Sequence, residues 1–264
     1  MPYIQEENSN PSIYYETIGN GTPLILIPPP GIGHLVFRYQ LSLMDVCKLI
    51  TFDIRGDGQS GRSPEPMTME QLAYDVKRVL DTNGINKGVI CGYSNGASIA
   101  QEFALSYPER TDGLILIGSY YEVRSFLLEM EYQIGIWAAQ KEFMTILASV
   151  LAKNHFSDTK ASKELYKEII QSDPHMLAQQ YQVGLSYSSA DRLHKINVPI
   201  LLMYGSRDYY LQNYQHFFRK VVRDIEVVYI SGVKHQVPTK APHACNALIR
   251  GWLKRKDLIF SPNK

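Results

Sequence analysis

The amino-acid sequence predicts an α/β fold with a mainly parallel sheet and a helical insertion, and three observations carry this. Short β-rich runs alternate with helix-like runs toward both ends of the chain, the order that covers a parallel sheet with helices. One such run passes directly into a helical pattern through a serine flanked by glycines, Gly92-Tyr93-Ser94-Asn95-Gly96. Between about 120 and 190 the alternation stops, the chain turns helical in character, and strand-like runs resume beyond it.

The strand-like runs are 24–27, 49–52, 89–91, 114–117, 200–204 and 227–230. After the second, Thr68-Met69-Glu70-Gln71 reads as a capping box, with Met67 and Leu72 as its hydrophobic staple. Val76, Val79 and Leu80 continue that helix, and Asn83-Gly84 ends it. From Asn95 to Tyr107 small or apolar residues recur at Gly96, Ile99, Ala100, Phe103, Ala104 and Tyr107, a helical period. The stretch 120–190 carries Phe126, Met130, Tyr132, Trp137, Phe143, Met144, Phe156, Tyr181 and Tyr187 with no strand among them. An all-helical insertion between two sheet strands is placed to act as a lid over the strand ends. Ala241, Ala244, Cys245, Leu248, Ile249 and Trp252 form a last apolar stripe, expected to pack on the sheet.

Composition excludes several classes of function. The 264 residues are 45% hydrophobic and 20% charged, and 27 basic against 26 acidic residues leave a net charge of +1. That balance gives no electrostatic footprint for nucleic acid or an acidic membrane surface. Lys254-Arg255-Lys256 reads as a solvated helix C-terminus. No apolar run reaches membrane-spanning length and the N-terminus has no signal-like pattern, so a cytoplasmic location is expected. Cys47, Cys91 and Cys245 lack metal-ligand spacing and are expected to be reduced, mostly buried thiols. Oligomeric state is left open.

A serine becomes a nucleophile when a tight strand-to-helix turn exposes it beside a base. Ser94 meets the first condition, and the helix start beside it offers unpaired N–H groups to an oxyanion. Asp208, in Gly205-Ser206-Arg207-Asp208 just past the run 200–204, is the candidate orienting acid, with Glu122 as its competitor. His235, in Ser231-Gly232-Val233-Lys234-His235 after the run 227–230, is the candidate base. His155, His175, His194, His216 and His243 stand in lid or helical contexts without matching partners, while His34 stands near the candidate site.

With the order serine, acid, histidine and the segment Asp53-Ile54-Arg55-Gly56-Asp57-Gly58-Gln59-Ser60, the chain closely resembles the α/β-hydrolase superfamily from about residue 12 to 253. The resemblance implies an eight-stranded, mostly parallel sheet, a core formed by 1–119 and 191–264, and a lid at 120–190. It assigns Ser94, Asp208 and His235 as the catalytic triad. The backbone N–H groups of Ile32 and Asn95 become the oxyanion hole, Ile32 by its place in Pro28-Pro29-Pro30-Gly31-Ile32-Gly33-His34. Pro30 stands where relatives carry a histidine, which changes how that loop is braced. Asp53 and Arg55 are expected to brace a turn. His34, Tyr93, Trp137 and Tyr209 are expected to contact substrate, and Tyr210 and Tyr214 with the lid aromatics hint at an apolar or aromatic acyl group.

The expected activity is cofactor-independent and metal-independent hydrolysis of a small ester, thioester or related acyl compound. Carbon-carbon bond hydrolysis, lactone hydrolysis, peracid formation and a non-turnover sensor role are the alternatives within the same fold. Gly31-Ile32-Gly33-His34-Leu35-Val36 with the later Asp53 imitates a dinucleotide fingerprint. Its third glycine is replaced by Val36 and a triple proline precedes it, which argues against nicotinamide or flavin.

Overall fold

The computed structural model describes residues 3–7, 10–63 and 66–259. Eight strands form one sheet: β1 (Tyr3–Ile4), β2 (Ile13–Ile18), β3 (Thr22–Ile27), β4 (Cys47–Phe52), β5 (Gly88–Tyr93), β6 (Thr111–Ile117), β7 (Ile200–Gly205) and β8 (Ile225–Ile230), in the order β1-β2-β4-β3-β5-β6-β7-β8. From β4 to β8 every pairing is parallel, while β1 and β2 add antiparallel at one edge. All six runs read from the sequence are strands of this sheet. The residue reading missed β1 and β2. In β2 the first half is buried and Glu16 to Ile18 are exposed, so it shows neither a continuous apolar run nor clean alternation. Its place is decided by pairing with β4, Tyr15 opposite Phe52 and Ile18 opposite Leu49.

Alternation along the central strands splits the core in two. Ile25, Ile27, Ile90, Leu114 and Leu116 face α1 (Met69–Thr82) and α2 (Asn95–Ser106). Leu24, Leu26, Val89, Cys91, Ile115 and Ile117 face the opposite side with Cys245, Ile249, Trp252 and Leu253. Burial on both faces explains why these strands read as unbroken apolar runs.

The N-terminus of α1 is the predicted capping box: Gln71 N–H donates to Thr68 Oγ1 at 3.2 Å, and Thr68 N–H to Gln71 Oε1 at 3.0 Å. Met67 and Leu72 are both buried, as a staple requires. Four helices lie between β6 and β7: α3 (Phe126–Gln140), α4 (Met144–His155), α5 (Thr159–Ile169) and α6 (Pro174–Ser186). Their base is pinned by a bridge between Glu122 and Ser188 and by Ser189 N–H donating to Tyr121 O at 2.9 Å. The short α7 (Gln215–Val221) and α8 (Val237–Lys240) precede α9 (Pro242–Arg255).

On α9 the predicted stripe needs one change: Ala244 is exposed and Asn246 is buried. Asn246 Nδ2 donates to Tyr39 O and Ser42 Oγ, both at 2.8 Å, which satisfies a polar side chain inside the apolar face. Beyond it, Arg255 and Lys256 pair with Glu226 and Asp224 beside β8. The three cysteines are free and buried, and burial pushes the Cys47 and Cys245 thiols up to about 12. Among the described residues, no helix is long and apolar enough to cross a membrane.

Candidate active site

Strand β5 passes into α2 through Ser94, which adopts φ 56° and ψ −126°. A non-glycine residue at positive φ is strained by roughly 1–3 kcal/mol, and close packing around the turn imposes it. A Cβ on Gly92 would lie 2.3 Å from Gly96 O, and one on Gly96 2.4 Å from Ile27 O. Both neighbours are backbone and cannot move aside cheaply. Gly96→Ala should therefore destabilise the fold by at least the 1–3 kcal/mol typical of overpacking, read as a lowered denaturation midpoint. An unchanged midpoint would show that this turn is looser than drawn.

The turn projects Ser94 toward two loops at the C-terminal ends of β7 and β8. Ser206 N–H donates to Ile230 O and Arg207 N–H to Val233 O, tying these loops together. His235 Nε2 then stands 2.8 Å from Ser94 Oγ, and His235 Nδ1 2.9 Å from Asp208 Oδ2. Asp208 is almost fully buried. An Nδ1–H donating to the carboxylate leaves Nε2 as the acceptor of the serine proton, the polarity that general-base activation needs. The competing acid, Glu122, is occupied elsewhere: it accepts from Ser188 Oγ at 3.0 Å and pairs with Arg124.

Ile32 and Asn95 line the same cleft as Ser94. Asn95 is the first residue of α2, where backbone N–H groups have no carbonyl a turn earlier to bond. Ile32 N–H makes only a long turn bond to Pro29 O, at 3.4 Å. Carboxylates brace the loop that carries Pro30. Gly31 N–H donates to Asp57 Oδ2 and His34 N–H to Asp53 Oδ1, both at 2.8 Å. Asp57 also accepts from Gln180 Nε2 of α6 at 2.9 Å, and its burial pushes the carboxyl up to about 8. Arg55, as expected, is structural: its guanidinium holds Asp75 through two bonds of 2.6 and 2.9 Å.

The cleft has a volume of about 320 Å³, at the lower end of small-molecule sites. Tyr93 lines it. The other three residues expected to contact substrate do not. Trp137 is 53% exposed and packs edge-on against Phe143, Tyr209 is 73% exposed, and His34 is buried beneath the Gly31–Gly33 turn. Helical periodicity does not say which side of an insertion faces the sheet, so the aromatic pattern alone could not separate Trp137 from Tyr132 and Tyr181, which do line the cleft. His155 was also missed. It ends α4, lines the cleft, and stands 3.3 Å from Tyr93 Oη with Nδ1 bonded to Leu151 O. Burial lowers its pKa to about 4, so it is neutral at physiological pH. Its signal was a place in phase with buried Met144, Ala148 and Ala152.

Among the described residues, one group offers ligand atoms close enough for a metal ion, namely His34, Asp53 and Glu168, all buried. Burial opposes charging His34, but hydrogen bonds to Asp53 and Glu168 and their negative charges outweigh it and raise its pKa to about 10. Nδ1 lies 2.8 Å from Asp53 and 3.3 Å from Glu168, joining the loop after β3 to α5. A histidine with a raised folded-state pKa contributes stability that is complete below its unfolded value near 6.5 and fades as pH rises toward about 10. Melts of wild type and His34→Gln should therefore differ most near pH 6 and converge toward pH 10. A constant difference across that window would remove the charged-histidine account. The neighbouring fingerprint look-alike also lacks its helix: after Gly33 the chain forms a four-residue 3-10 turn, His34–Phe37.

Comparison with known proteins agrees with this architecture. Residues 46–240 match the family model described as serine aminopeptidase, S33. Among curated proteins, "Putative carbamate hydrolase RutD" of Azorhizobium caulinodans is 24% identical over 97% of this chain and 100% of its own. The 3-oxoadipate enol-lactonase 2 of Acinetobacter baylyi is 25% identical over 92% and 94%. Among solved structures, a carboxylesterase of Nitrososphaera gargenis superposes with a TM-score of 0.84 at 20% identity, covering 97% of this chain and 99% of that one. With a mostly parallel eight-stranded sheet and a family match over most of its length, this chain belongs to the serine aminopeptidase S33 family of α/β hydrolases.

Proposed function

We propose that the protein is a cofactor-independent serine hydrolase that cleaves an ester, or a related acyl bond such as a thioester, in a small and mainly apolar substrate. The observation that carries this is the continuous chain from Asp208 through His235 to Ser94, with contacts of 2.9 and 2.8 Å. His235 takes the Ser94 proton as Oγ attacks the carbonyl and delivers it to the leaving group. Asp208 holds the imidazole tautomer and stabilises its cation, and water repeats the cycle on the acyl enzyme. The N–H groups of Ile32 and Asn95 stabilise the oxyanion. Helices α3 to α6 serve as the lid, in keeping with Leu128, Tyr132, Leu147, Leu151 and Tyr181 sharing the cleft with Ser94.

The names of the curated relatives, a carbamate hydrolase and an enol-lactonase, support acyl-bond hydrolysis and leave the scissile bond to experiment. A lactone is an internal ester, so lactone hydrolysis uses the same steps. A panel of short-chain and aryl esters, run beside fluorophosphonate labelling, tests the proposal. Steady multiple turnover and labelling that depends on Ser94 are expected. A single turnover per molecule would favour a sensor, and equal labelling of wild type and Ser94→Ala would remove Ser94 as the nucleophile.

A further inference from the structure

The outer side of the first two inserted helices carries an apolar face that no other described residue covers. Of the fifteen large apolar side chains exposed among the described residues, eight fall between Phe126 and Val150. Single exposed hydrophobics scattered over a surface are ordinary, whereas a contiguous group marks an interaction site. On α3 the exposed set is Phe126, Leu127, Met130, Ile134 and Trp137, which at 3.6 residues per turn share an arc of roughly 100°. Leu128, Tyr132, Ile136 and Ala139 are buried on the opposite side. The helix is therefore apolar nearly all round, the pattern of one enclosed on both sides. At the start and along α4 the exposed set is Phe143, Ile146 and Val150, again one helical side, while Met144, Ala148 and Ala152 are buried on the other.

The two stripes join into one surface. Trp137 packs edge-on against Phe143 with ring centroids 5.2 Å apart, and Ile134 and Val150 both border the cleft. Each of the eight side chains is 41 to 72% exposed, so at about 200 Å² for a whole large apolar side chain the face offers roughly 900 Å². That exceeds the roughly 300–600 Å² of the largest patch on a typical monomer. It matches the roughly 800 Å² that each partner brings to a standard protein interface.

The charges beside the face choose its occupant. On α3, α4 and the turn between them the exposed charged residues are Glu129, Glu131, Lys141, Glu142 and Lys153. An anionic lipid surface calls for an excess of lysine and arginine around the apolar side, and this rim has none. A rim of both signs meets its own copy without the repulsion of a single-sign field. A two-fold contact lays the same apolar stripe on both sides and closes both faces at once, leaving nothing to propagate into a filament.

We propose that this face binds a second copy of the chain, giving a two-fold dimer through α3 and α4 whose interface runs to the edge of the cleft at Ile134 and Val150. Sedimentation velocity on the wild-type chain at micromolar concentration should then show a particle of twice the mass of one chain. Ile146→Glu and Phe126→Glu place a charge on the face at residues that do not line the cleft. Each should weaken the dimer at least ~100-fold, because the new charge would be buried without a partner. Both positions face solvent in the single chain, so both variants should fold, and if one does not the other carries the test. The wild-type melting midpoint should rise with protein concentration, and the midpoints of the two variants should not. Tyr229→Glu, on the exposed edge strand β8, should leave the dimer intact. A wild-type chain that stays monomeric overturns the proposal, as does a dimer that survives both charges on the face. A dimer split by Tyr229→Glu instead would place the contact at the sheet edge and overturn it too. So would a monomer that co-sediments with phosphatidylcholine vesicles and loses them in Ile146→Glu, which would assign the face to lipid.

Discussion

Replacing Ser94 by alanine should lower ester turnover by about 10⁶-fold, the loss seen when the nucleophile of a serine, histidine and acid unit is removed. In the proposed mechanism the three groups act together: without Oγ, His235 has no proton to take at the 2.8 Å position it occupies. Residual rate over water would come from the oxyanion donors and from binding alone. The fold should survive, because alanine keeps the Cβ and meets the same φ of 56° that serine already tolerates. The measurement is steady-state hydrolysis of an aryl ester, with a melt of the same sample to show it is folded. A folded Ser94→Ala protein that retains most of its rate would move the chemistry to another residue.

Asp208→Asn should lower turnover by about 10⁴-fold, through the tautomer of His235 rather than through loss of a contact. The carboxylate accepts from Nδ1 at 2.9 Å and is almost entirely buried. An asparagine in the same place can present its amide N–H to Nδ1. The ring proton then moves to Nε2 and points at Ser94 Oγ, so the imidazole can no longer accept the serine proton. Binding should change little, so the loss should fall on kcat. Unchanged turnover would shift the orienting role to another carboxylate, with Glu122 the first to substitute. Its bonds to Ser188 and Arg124 make that outcome unexpected.

The grouping of Ser94, Asp208 and His235 was legible because each follows an apolar strand by a few residues, and strand ends are where a parallel sheet collects its loops. Local pattern sufficed for the Thr68 cap, for the elbow at Ser94 and for the turn-bracing role of Asp53 and Arg55. It failed for β2, whose pairing partner lies more than thirty residues away and whose exposed half hides the period. It failed again for the cleft wall. Tyr93 was placed there correctly, but Trp137, Tyr209 and His34 point elsewhere, and His155 was passed over although it touches Tyr93.

By itself the sequence determined which side chains could carry the chemistry and the order in which strands deliver them, because hydrophobic period, capping and glycine-flanked turns are local physical constraints. Tertiary structure alone decided which faces of α3 to α6 look into the cleft, that His34 is buried against Asp53 and Glu168 outside the cleft, and that Asn95 keeps an unpaired amide packed against α6. Those outcomes depend on helix rotation and on contacts between residues far apart in the chain, such as Asn95 with Gly184. No local period encodes them, since the same stripe of aromatic residues packs equally well with either side turned toward the sheet.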